Sequence, residues 1–146
     1  MQTQYEYIAL FIESEALYRQ AAPLRSNPLP RQIQHPHITF AFRPAAVDES
    51  LFGSKATVTV TGYGNDGQNE GLLVTPVIDR EPLQKLAAAI EVPHITLALA
   101  PGAKAVNTRD LVFSPVAPFT LEGTFGGMLR AEGTVVLQAP PAAQEC

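Results

Sequence analysis

One heptapeptide is written twice in this chain, and that repetition constrains the fold more than any other feature. Pro36-His37-Ile38-Thr39-Phe40-Ala41-Phe42 and Pro93-His94-Ile95-Thr96-Leu97-Ala98-Leu99 agree at five of seven positions and differ only between large hydrophobes. Each copy alternates as a strand does, so Ile38, Phe40 and Phe42 share one face, and His37, Thr39, Ala41 and Arg43 the other. The same parity sets Ile95, Leu97 and Leu99 against His94, Thr96, Ala98 and Ala100. The apolar face belongs to the core. Each His-Thr pair therefore points the opposite way.

The segments around the repeat form roughly the same unit twice: strand, helix, strand, hairpin, then helix, strand, short helix, hairpin. Tyr5 to Glu13 reads as a strand with Ile8, Leu10 and Ile12 on one side and Tyr5, Tyr7 and Phe11 on the other. Ser14 is a candidate cap for a helix bearing Leu17, Ala21 and Leu24 and ending near Pro23. Leu24 to Gln34 carries two prolines, Pro28 and Pro30, and is predicted to be an irregular connection. Lys55 to Tyr63 and Asn69 to Ile78 form a hairpin about Gly64-Asn65-Asp66-Gly67. Asp79 can cap a helix whose Leu83, Leu86, Ala87 and Ile90 recur at helical spacing. A short helical turn is predicted from Thr108 to Leu111, and Phe119 to Phe125 with Gly133 to Gln138 form a last hairpin. A single two-lobed domain over residues 1–139 is expected, with a flexible tail at 140–146.

Of the 146 residues, 46% are hydrophobic and 16% charged, the balance of a globular chain rather than a disordered one. No apolar run approaches the roughly 20 residues of a membrane span, and the start lacks a basic then apolar leader pattern. A cytoplasmic home without membrane association is the expectation. The lone cysteine, Cys146, can close no internal disulfide. With a net charge of −4 and ten scattered Lys and Arg, no basic stripe is available to grip long duplex nucleic acid by counterion release. A small anionic ligand needs only a few local donors.

His and Thr at i and i+2 lie roughly 6 to 7 Å apart along a strand, so both can reach one phosphate. If the two strands face one another, one imidazole can remove a proton from an attacking hydroxyl or water while the other protonates the leaving oxygen. Threonine hydroxyls can donate to the non-bridging oxygens. Ala41 and Ala98 leave room for a ligand. This chemistry requires no cofactor and no metal, and the three histidines lack the further carboxylates or cysteines of a zinc site.

The doubled His-x-Thr, each copy preceded by Pro and followed by a hydrophobe, resembles the signature of the two-histidine (2H) phosphoesterase superfamily, from about Tyr5 to Gln138. Thr61-Gly62-Tyr63-Gly64 and Val92-Pro93-His94-Ile95-Thr96-Leu97 are similar to its Swiss-army-knife, RNA-repair-like branch. The resemblance implies an α+β, bilobal fold, with two antiparallel sheets around a concave groove and helices outside. It implies a metal-independent phosphodiesterase with His37, Thr39, His94 and Thr96 as catalytic residues. The substrates implied are 2′,3′-cyclic phosphates, 2′–5′ linkages or cyclic oligonucleotide signals. The acidic balance favours a small nucleotide or short RNA end over a long duplex.

Each assignment has a plainer counterpart. Either histidine alone would read as a core histidine satisfied by backbone carbonyls; the pairing favours a site. His35 shares the parity of His37 but is read as a surface or supporting residue. Arg43 either attracts the phosphate or is a solvated charge at a strand end. Tyr63 and Tyr7 either stack on a base or are ordinary sheet tyrosines. A non-catalytic groove that sequesters a nucleotide, and a structural domain with coincidental histidines, are the competing functions.

Overall fold

The computed structural model describes residues 4–130 and 133–138, so the tail expected at 140–146 lies outside the described residues. The chain is α+β, with eight strands among the described residues, β1 (Tyr5–Ile12), β2 (Arg31–Gln32), β3 (His37–Phe42), β4 (Lys55–Asn65), β5 (Asn69–Val77), β6 (His94–Leu99), β7 (Ser114–Leu129) and β8 (Val135–Val136). Two α-helices, α1 (Ser14–Ala21) and α2 (Glu81–Ala88), and short 3-10 turns complete it.

The expectation of two separate sheets is corrected. All strands pair antiparallel in one sheet of order β2-β6-β5-β4-β7-β1-β3, with β8 added to β7. The joint is β7, long enough to pair with β1 through Gly123–Leu129 and with β4 through Ser114–Thr124. The halves of the sequence are therefore not the halves of the sheet. The strand of His37 is flanked by β1 and then by β7 from the second half, and the strand of His94 by β5 from the first. The sheet curls until β3 and β6, far apart in its order, approach within 8 Å between Cα atoms.

Burial follows the parity of the repeat. Ile38, Phe40, Ile95 and Leu97 enter one core with Leu10, Val58, Val60, Leu72 and Phe125, and Leu17 and Ala21 of α1 and Leu83 of α2 cover that face. Phe42 departs from it: expected in the core, it is 63% exposed, because the register shift between Ile8 and Ala9 disturbs the end of β3. A second shift, between Tyr5 and Tyr7, turns Tyr5 into the core against Phe52.

Local details move by a residue or two. Glu13, not Ser14, caps α1, its carboxylate accepting from the Glu15 and Ala16 amides. Arg80, not Asp79, holds the capping position of α2, without a side-chain cap. The hairpin turn closes at Asp66-Gly67-Gln68, where Asp66 accepts from the Gln68 and Asn69 amides and Gly67 takes φ 86°. Among the described residues no helix is long and apolar enough to cross a membrane.

Candidate functional site

His37 and His94 open β3 and β6, each half-buried on the face away from the core. Their local geometry is the same. Nδ1 of His37 lies 2.7 Å from the carbonyl of His35, and Nδ1 of His94 lies 2.8 Å from the carbonyl of Val92. A carbonyl only accepts, so each Nδ1 carries the hydrogen and each neutral ring keeps its lone pair on Nε2. His35 is itself exposed and serves through its backbone.

The surroundings of the two rings differ. Tyr7 stacks on His37 at 4.4 Å between ring centres and 19° between planes, and Phe11 lies at 5.6 Å. Burial pushes the His37 imidazole down to about 4; the His35 carbonyl opposes this, while the nearby His94 and His35 side chains add to it. Burial also lowers His94. The Val92 carbonyl and Asp110 pull it up, and Arg109 pushes it down. The influence of His94 on His37 agrees with the approach of β3 to β6.

The threonines are half-buried beside their histidines. Thr39 pairs across from Ala9 and Thr96 across from Gly71, whose missing side chain makes space. There the 3-10 turn Ala105–Asp110 packs down, placing Thr108 Oγ1 at 2.9 Å from Thr96 Oγ1. Ala41 is half-buried, whereas Ala98 is buried between β2 and β5, so it does not open the room expected of it.

Of the three auxiliary candidates, Tyr7 joins the histidines. Arg43 does not reach them: with φ 46° it leaves the strand, and its guanidinium donates to Glu6 at 3.2 and 3.3 Å. Tyr63 lies on the core face, across from buried Leu72. Its hydroxyl donates to Glu70 at 2.6 Å, and burial raises its pKa to about 12. The register shift between Val60 and Gly62 puts it there.

Sequence reasoning passed over four neighbours. Phe11 was legible, since it shares the parity of Tyr7. Thr108, Arg109 and Asp110 come from a turn with no motif of its own, and only folding carries them to β6. A cavity of about 440 Å³ runs along α1 and β7, lined in part by Phe11, Glu13, Lys55, Glu122 and Thr124. It meets the site at Phe11 but includes neither histidine. Among the described residues no group of three or more His, Cys, Asp or Glu is placed to hold a metal.

No protein-family model matches the sequence, and the search of curated proteins finds no match.

Proposed function

We propose that the chain is a metal-independent phosphodiesterase of the bilobal 2H type, acting on a small nucleotide phosphodiester. One observation carries this reading: twin imidazoles, each with Nδ1 tied to the carbonyl two residues before it, open two strands that come together. Both rings then offer Nε2 to a common ligand. His37, the ring more strongly held neutral, accepts the proton of the attacking water or hydroxyl at Nε2. His94, with Asp110 beside it, donates from Nε2 to the departing oxygen. The Thr39 and Thr96 hydroxyls hold the non-bridging oxygens as charge develops there. Tyr7 and Phe11 form an aromatic wall against which a base can stack.

The test is turnover of a panel of 2′,3′-cyclic nucleotides, 2′–5′ oligonucleotides and cyclic di- and trinucleotides, with chelator present. Cleavage of at least one is expected, and His37→Ala or His94→Ala lowers the chemical step roughly 10²-fold or more. Binding without cleavage would make the groove a sequestering site instead. Activity abolished by chelator and restored by a divalent ion would overturn the mechanism.

A further inference from the structure

The Thr96 hydroxyl ends a chain of hydrogen bonds whose direction is fixed from its buried end. Asn69 is 2% exposed and Thr108 is fully buried, and neither belongs to the doubled motif. Nδ2 of Asn69 lies 2.8 Å from the Lys104 carbonyl and 3.0 Å from Thr108 Oγ1. Because the carbonyl only accepts, the amide must turn its NH2 toward it, and the second hydrogen of that NH2 goes to Thr108. Toward Asn69, then, the Thr108 oxygen is an acceptor. Its own hydrogen needs another partner, and the one described is Thr96 Oγ1 at 2.9 Å. Leaving that hydrogen buried without an acceptor would cost about 1–3 kcal/mol, so Thr108 donates and Thr96 accepts.

The hydrogen of Thr96 is thereby left over. Among the described residues its remaining acceptor is the Ala105 carbonyl at 3.5 Å, at the outer limit of a hydrogen bond. A phosphate oxygen arriving at normal distance makes a charge-assisted bond roughly twice as strong as a neutral one. The backbone is shaped for the same chain: a Cβ on Gly71 would meet Thr108 Cγ2 at 2.4 Å and the Ile95 carbonyl at 2.8 Å. Strand β5 thus forgoes a side chain where Thr108 must sit.

We infer that Asn69 and Thr108 are positioning residues that commit the Thr96 hydroxyl to donating into the groove, so that this half of the site is a preset anion donor. Its service to a phosphodiester rests on the function proposed above. The direction of the chain does not. Thr39, for which no side-chain hydrogen bond is found among the described residues, has no such presetting.

Neutron diffraction from crystals of the perdeuterated protein reads the chain directly. A deuterium on Thr108 Oγ1 aimed at Thr96 is expected; one on Thr96 Oγ1 aimed at Thr108 overturns the inference, whether or not the protein turns over any substrate. Kinetics on a cleaved substrate read its consequence. Thr108→Val should lower kcat roughly tenfold, with KM changed much less, a fraction of the loss expected for removing a donor outright. Thr108→Ser, which restores the hydroxyl, should recover most of that loss. Thr96→Val with Thr108→Val should be no worse than Thr96→Val alone, since Thr108 acts through Thr96. Losses that add, or Thr108→Ser as impaired as Thr108→Val, would reduce Thr108 to a packing residue. Absence of turnover by the wild type would sink the proposed function while the neutron result still decided the chain.

Discussion

At the scale of single residues, the proposed mechanism makes the two imidazoles set a pH dependence. With His37 as base and His94 as acid, kcat/KM requires the first neutral and the second protonated. Burial holds His37 at about 4 and keeps His94 below the ordinary 6.5. The profile of kcat/KM should therefore rise near pH 4, stay high on the acid side and fall before neutrality, with apparent values that belong to the pair. An optimum above pH 7 would contradict it. Tyr7→Ala opens the covered face of His37 and should move the acid limb upward toward 6.5. The parity of the two heptapeptides was enough to place His37, Thr39, His94 and Thr96 off the core face. Strand alternation failed for Tyr5, and Tyr63 turned to the core rather than toward a base, because at each a bulge inserts one residue and reverses the face of the side chains beyond it, and no composition marks it. Arg43 was lost to a left-handed backbone position and to Glu6, a partner on another strand.

At the scale of elements, β6 is held from behind by a buried ion pair. Glu70, fully buried on β5, accepts from Arg25 at 2.6 and 2.8 Å, from Tyr63 and from the Leu29 amide at 3.1 Å. Burial alone would raise its pKa, but these hydrogen bonds more than offset it and hold the carboxyl below its usual value. Tyr18 of α1, under the Arg25 guanidinium, places its hydroxyl 2.8 Å from the Ile33 carbonyl and 2.7 Å from the Leu97 carbonyl, which share its one hydrogen, so the same connection is tied to the strand of His94. Glu70→Gln strands the Arg25 charge and should cost on the order of 3 kcal/mol in urea unfolding. A loss under about 0.5 kcal/mol, the scale of surface substitutions, would show that the pair is not what holds the connection. Because the folded pKa is lowered, the stabilisation from Glu70 is present above about 4.5 and lost as pH falls through the folded value. Leu24 to Gln34 read as an irregular connection from its prolines, which is mostly what it is. That Arg25 anchors it was not legible, since a buried pair shows in sequence only as two ordinary charges far apart.

At the scale of the whole molecule, the duplication in the sequence suggested two sheets, and the chain builds one. Local alternation specifies each strand but not its neighbour; the partner is chosen by which face can be buried and by strand length. Here β7 spans both sides, joining β1 to β4, so the sheet carrying His37 continues into the sheet carrying His94. Each side also borrows a strand from the other half of the chain, and one core lies beneath both. Neither half can then bury its apolar face alone. Unfolding by urea should be a single transition, with far-UV circular dichroism, tyrosine fluorescence and amide protection in β3 and β6 giving one midpoint and one free energy. Because β3 and β6 approach only while the sheet stays curled, loss of the proposed turnover should fall on the same curve. Amides of β6 that exchange at a clearly lower free energy than those of β3 would mean that the two sides open separately, and that the imidazoles are brought together by ligand rather than by the fold.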